Sequence, residues 1–205
     1  MTTVLKVGGG LARDRGGEAL RSLCATIGEA ATRHPLLVVP GGGRFADAVR
    51  AEDGRFGLRA STHHRMAILA MDQFGLLLGD LVPRSGLCED LETATAITRA
   101  GRAAVLLPSK LALAARDLPA SWDVTSDSIA AWVAGRANAA RVVLLKAHPR
   151  ATGVDAHFAT VLATTPVEAW AIGGDDPARL VELLETGTTA GTRLTAGGDP
   201  AQASA

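Results

Sequence analysis

What most constrains this chain is the way its first strand ends. Val4-Leu5-Lys6-Val7 is apolar but for one lysine, and it runs straight into Gly8-Gly9-Gly10. A short apolar stretch closed by glycine reads as a buried strand. Glycines directly beyond a strand let backbone N–H groups approach an oxyanion that side chains would hold away. The same arrangement recurs at Leu36-Leu37-Val38-Val39-Pro40, which opens into Gly41-Gly42-Gly43 and then an apolar-periodic segment. Two such loops at the carboxyl ends of two strands are suited to hold the two ends of one phosphoryl transfer.

The rest of the chain alternates in the same way. Leu20, Leu23, Cys24 and Ile27 recur at three and four, which predicts a helix from Gly17 that stops before His34-Pro35. Further helices are predicted from Gly43 to a break at 54–57, over 61–78, over 91–99, after Pro108-Ser109-Lys110, from Ile129 onward and over 177–184. Strands are predicted over 36–39, 103–107, 142–145, 170–172 and 193–195, with short edge strands at Leu81-Val82-Pro83 and at Leu87. The run at 36–39 is continuously apolar, as a parallel strand covered on both faces requires. Strands alternating with helices imply an α/β fold with a mainly parallel sheet and helices on both faces.

Length and charge narrow the function. With 205 residues, 47% of them hydrophobic, one domain over residues 1–196 is expected, with a frayed tail over 197–205. The 21 basic and 21 acidic residues cancel, so no global field recruits nucleic acid or an anionic membrane. No apolar run approaches the roughly 20 residues a bilayer span needs, and no secretory leader precedes the first strand, so a cytoplasmic protein is expected. Cys24 and Cys88 lack metal-ligand spacing and read as buried thiols in helical segments.

Only three of the 21 basic residues are lysines, Lys6, Lys110 and Lys146, and two of these close strands. A compact ammonium on a flexible stem can follow a moving phosphoryl group, whereas an arginine fork favours a fixed bidentate partner. Thr125-Ser126-Asp127 reads as a capped helix start. His63 and His64 are adjacent on a helix and point about 100° apart, a poor pair for one ion, so no metal site is expected there. Substrate contact from His63, His64, Arg65 or Asp72 is the functional alternative to a solvated helix start. Asp72 is the sole carboxylate in an otherwise largely apolar stretch, placed to pair with a substrate amine. Met66, Leu69, Phe74 and Leu77 read as core. The loop Gly8-Gly9-Gly10 lacks the G-x-G-x-x-G spacing of dinucleotide-binding folds.

The order of these motifs resembles the amino acid kinase family. The carriers are Lys6-Val7-Gly8-Gly9, Pro40-Gly41-Gly42-Gly43, Thr125-Ser126-Asp127, Val142-Val143-Leu144-Leu145-Lys146-Ala147 and Gly191-Thr192-Arg193-Leu194. Within the family, His63-His64-Arg65-Met66 with the run to Gln73, and Ser121-Trp122-Asp123-Val124 with the run to Ile129, are similar to small archaeal-type kinases of an aminomethyl-furan phosphate. The resemblance implies a three-layer αβα sandwich and an ATP- and magnesium-dependent transfer to a small phosphorylated acceptor. Other acceptors consistent with it are a nucleoside monophosphate, an isoprenoid phosphate or an amino-acid carboxylate. A module of the same fold that binds nucleotide or oxyanion without turnover is the alternative from another class.

The resemblance also implies roles. Lys6 stabilises the transferred phosphoryl, Lys146 contacts nucleotide phosphates or the leaving oxygen, and Asp127 orients the lysines. Gly8, Gly9 and Gly10 then face ATP phosphates, and Gly41, Gly42 and Gly43 the acceptor phosphate, helped by a helix amino terminus. Pairing through the helices after the second glycine loop implies a homodimer or a larger homo-oligomer. One stretch departs from the family. Where most members carry an aspartate and a glycine-valine turn that holds the adenosine, this chain has Lys146-Ala147-His148-Pro149-Arg150-Ala151-Thr152-Gly153-Val154-Asp155.

Overall fold

The computed structural model describes residues 1–13, 17–148 and 153–196. Residues 149–152 of the divergent stretch and the expected tail at 197–205 lie outside the described residues. Strand β1 (Thr3–Val7) leads through a 3-10 turn (Gly9–Ala12) to α1 (Glu18–Ala30), β2 (Leu36–Pro40), α2 (Gly43–Phe56) and α3 (Ala60–Leu81). Then come β3 (Gly86–Cys88), α4 (Leu91–Arg99), β4 (Ala104–Leu106), α5 (Ser109–Ala112) and α6 (Ser126–Arg136). The described chain closes with β5 (Arg141–Lys146), α7 (Phe158–Ala163), β6 (Glu168–Gly173), α8 (Pro177–Thr186) and β7 (Thr192–Leu194).

The strands form one seven-stranded sheet in the order β3-β4-β2-β1-β5-β6-β7, parallel throughout except for β7. Alternate residues of each strand serve opposite faces. Val4, Leu37, Val39, Ala104, Val142 and Leu144 pack under α4, α6 and α7, whereas Leu5, Val7, Val38, Val105, Val143 and Leu145 pack against α1 and α8. Both faces are therefore apolar and covered, as the continuous strand runs required. Helix α3 serves both cores, giving Ile68 and Met71 to one and Phe74 and Leu78 to the other. Helix α2 packs on α3 through Ala46, Val49 and Ala70.

Several details correct the sequence expectation. Leu81 ends α3 and Val82-Pro83 follows it without forming a strand, so of the two short strands expected there only the one at Leu87 forms, as β3. In the apolar stripe expected along α3, Phe74 is buried but Leu69 and Leu77 are 42% and 39% exposed; Ile68, Met71 and Leu78 take the inward places. Cys88 lies in a strand, not a helix. It packs on one face of the sheet and Cys24 on the other, both as free thiols that burial pushes up to about 12. Helix α7 had no counterpart in the expectation.

Candidate active site

The site follows from strand register. Strand β1 lies between β2 and β5, with Lys6 opposite Leu144, so Lys6 and Lys146 share a parity and face the same side of the sheet. That side is covered by α6, whose first turn delivers Asp127 to the gap between them. Asp127 Oδ1 lies 2.9 Å from Lys6 Nζ and its Oδ2 2.7 Å from Lys146 Nζ, which also donates to the Gly153 carbonyl at 2.9 Å. Asp127 is 6% exposed, as is Lys6.

Charge defines what this cluster can do. Burial alone would raise the Asp127 carboxyl, but Lys6 and Lys146 outweigh it and hold the group below the usual aspartate value. Burial pushes the Lys146 ammonium down and Lys6 adds to the effect, against the pull of Asp127. Two ammonium groups contact one carboxylate, and the charge of Asp155 acts on Lys146 as well, so among the described residues Lys6 is the ammonium with Asp127 alone against it.

The two glycine loops meet beside this cluster. A Cβ on Gly9 would lie 2.3 Å from the N and Cα of Gly43, so the loops touch backbone to backbone and a side chain at Gly9 has no room. Gly43 moreover adopts φ +55°, which favours glycine. The amide of Gly41 donates to the Val7 carbonyl and that of Gly8 to the Leu145 carbonyl, tying the loops to the ends of the ladder.

Between the loops, α2, α3 and the loop before α6 lies a cavity of about 220 Å³. Its lining brings together Lys6, Gly9, Gly10, Gly42 and Gly43, the apolar side chains of Ile68, Met71, Val124 and Ile129, and the polar ones of His64, Trp122, Arg13, Asp47 and Arg50. Asp47 bridges the two arginines, with Arg13 Nη2 at 2.6 Å and Arg50 Nη1 at 3.3 Å. Trp122 is held in place: its indole N–H donates to Asp53 at 2.8 Å, and His63 stacks on it with ring centroids 4.8 Å apart and planes 3° from parallel.

Sequence expectation and structure part at two residues. His63 is buried against Trp122, and it is His64 that lines the cavity, its imidazole pushed down by burial and bonded to the backbone at Ser121. Asp72 does not line the cavity. Its Oδ1 accepts the amide of Ser109 at 3.0 Å at the start of α5, and the acidic residue on the cavity wall is Asp47. Lys6, Asp127 and Lys146, and the loops 8–10 and 41–43, do converge. Sequence reasoning did not find Arg13, Asp47 and Arg50; the Asp47/Arg50 pair had a local signal in its i, i+3 spacing, whereas Arg13 had none.

The profile of the amino acid kinase family matches residues 1–149. The chain belongs to the amino acid kinase family. It is a phosphotransferase of that family. A curated relative is [5-(aminomethyl)furan-3-yl]methyl phosphate kinase of Methanocaldococcus jannaschii, 26% identical over 206 aligned positions that cover 89% of this chain and 92% of that one. Among solved structures, uridylate kinase from Archaeoglobus fulgidus superposes with a TM-score of 0.72 at 16% identity, covering 93% of this chain and 98% of that chain. UMP kinase from Ureaplasma parvum gives 0.70 at 13% identity, with 92% and 96% covered. At these identities the solved structures show the amino acid kinase fold alone.

Proposed function

We propose that this kinase transfers the γ-phosphoryl group of ATP to the phosphate of a small acceptor, with (5-(aminomethyl)furan-3-yl)methyl phosphate as the substrate and its diphosphate as the product, in methanofuran-type cofactor synthesis. The observation that carries the reading is the Lys6–Asp127–Lys146 cluster, whose Lys6 lines a small cavity together with Gly9, Gly10, Gly42 and Gly43 of the two glycine loops. Phosphoryl transfer needs positioning and charge neutralisation rather than covalent participation by the protein, and this cluster supplies both. The acceptor phosphate lies against the amides of Gly42 and Gly43 at the amino terminus of α2, where the helix favours an anion. Lys6, on the cavity wall, follows the phosphoryl group as it moves. Lys146, on the far side of Asp127, meets the nucleotide phosphates.

Acceptor choice follows from size and polarity. Pockets for drug-sized ligands occupy about 300–1,000 Å³, and 220 Å³ favours a compact acceptor over a nucleotide. Trp122, Ile68 and Met71 offer a flat ring an apolar surface. The curated relative is named for the same acceptor and aligns over most of both chains.

Among the described residues no group of three His, Cys, Asp or Glu forms a cage for a metal ion. Asp127 is committed to its lysines. This donor set suits magnesium held by nucleotide phosphates and water, which reluctantly sheds its hydration shell and would neutralise phosphate charge. The test is a substrate panel with ATP: the furan methyl phosphate is expected to be phosphorylated fastest. Faster turnover of UMP or isopentenyl phosphate would overturn the acceptor assignment while leaving the kinase intact.

A further inference from the structure

Helix α6 begins without a cap of its own. Thr125 occupies the capping position in extended geometry, yet its side chain makes no hydrogen bond to the first turn of the helix. The bonds go instead to Asp155, 30 residues downstream. Asp155 Oδ2 accepts the Thr125 amide at 2.9 Å, the Thr125 hydroxyl at 2.7 Å and the Ser128 amide at 3.0 Å, while Oδ1 accepts the Ser128 hydroxyl. One half-buried carboxylate thus serves four donors from the two residues that flank Ser126 and Asp127.

The same short segment reaches the other side of the cluster. Gly153, two residues before Asp155, gives its carbonyl to Lys146 Nζ at 2.9 Å. The Phe158 amide closes on the Asp155 carbonyl at 3.1 Å, and the His157 amide donates to the Asp123 carbonyl at 3.1 Å, in the loop that lines the cavity with Trp122 and Val124. The segment 153–157 therefore holds the start of α6, the cavity loop and the Lys146 ammonium in one arrangement.

We propose that Asp155 is a positioning residue for phosphoryl transfer: by clamping Thr125 and Ser128 it fixes where Asp127 stands between Lys6 and Lys146. The inference rests on the reading of that cluster as the transfer machinery. Geometry explains why the clamp sets position more than fold. A threonine at the capping position can bond to the amide three residues on, so without Asp155 the Thr125 hydroxyl can cap Ser128 by itself. The helix then survives, but its first turn, with Asp127, takes up a new place. Misplacement by about 1 Å far from the reacting atoms can cost 10²-fold in rate. The clamp sits just ahead of α7, at the last residue of the stretch where this chain departs from its family.

The test is a double-mutant cycle on the full chain with Asp155→Ala, Asp127→Asn and the pair. The readouts are kcat and KM with ATP and whichever of the furan methyl phosphate, UMP or isopentenyl phosphate the wild type phosphorylates fastest, together with thermal midpoints. Asp155→Ala is expected to stay folded at the assay temperature and to lower kcat at least tenfold with acceptor KM within threefold. In the Asp127→Asn background the same change is expected to lower kcat less than twofold, because the group it positions is gone. An equal fold loss in both backgrounds, or an Asp155→Ala kcat within twofold of wild type, overturns the inference and leaves the kinase reading standing. No transfer by wild type to any of the three acceptors would overturn the kinase reading itself.

Discussion

At Gly9 the chain has no space for a methyl group. The nearest backbone atoms of Gly43 would lie 2.3 Å from it, and backbone cannot yield as a flexible side chain can. Gly9→Ala should therefore separate the two loops, at a cost of about 1–3 kcal/mol of stability and at least tenfold in kcat/KM, read by urea unfolding and steady-state kinetics. A second residue-scale consequence concerns acid. Asp127 is held below its ordinary value of 3.8, so its charge pairing is fully present above that pH and is lost as pH falls through the lower folded value. Removing the carboxylate leaves the buried Lys6 ammonium without its counter-charge, which is destabilising. Wild type should exceed Asp127→Asn in stability by a constant amount at neutral pH, and the gap should narrow as pH drops below 3.8. A gap unchanged down to pH 2 would contradict this. Lys6 and Lys146 were legible as lysines closing two strands and the role of Asp127 as an implication of the family resemblance, whereas their shared face follows from the β1–β5 register that the structure supplies. His64 and Asp47 were not legible: which of two adjacent histidines faces a cavity depends on how α3 is rotated against α2, and no residue spacing encodes that.

Among the elements, those with one clear apolar face were legible. Helix α4 falls on Leu91–Arg99 as its spacing required, and Asp90 caps it by accepting the Thr93 amide at 2.8 Å. Helix α6 was legible as a start but not in its cap, since the capping carboxylate comes from Asp155. Helix α7 was missed although Phe158, Val161 and Leu162 repeat at helical spacing, because six residues carry too few turns to separate a pattern from chance. Helix α3 was located but misrotated. Its apolar residues occupy more than one face, with Leu69, Leu76 and Leu77 turned outward, so periodicity alone could not choose the inward one. Helix α2 gives a prediction of its own. Gly54 lies inside it in open space and at ordinary backbone angles, so Gly54→Ala should raise stability by about 0.5–1 kcal/mol without altering turnover. A loss of stability in denaturant titration would show that this turn of α2 is constrained in some other way.

At the scale of the molecule, the parallel sheet with both faces covered was legible from its continuous apolar strands, and the αβα layering from the resemblance. The pairing of copies was an implication of family likeness. The structure adds an exposed face on α3 carrying Leu69, Leu76 and Leu77, the first two a heptad apart. We propose that this face packs against a second copy. Light scattering should give a mass above one 21.0 kDa chain, and Leu76→Lys should lower it; a one-chain mass at working concentration would contradict the proposal. We propose that buried Lys6 and half-buried Lys146, oriented by the Asp127 carboxylate, make this a phosphoryl-transfer catalyst and not a nucleotide store. The most direct measurement is kcat with the furan methyl phosphate and the ATP dissociation constant, for wild type and Asp127→Asn side by side. The account predicts a fall in kcat of at least about a hundredfold, near 3 kcal/mol, with ATP affinity little changed. An Asp127→Asn enzyme within threefold of wild-type kcat, or a wild type that binds ATP and turns nothing over, would contradict it.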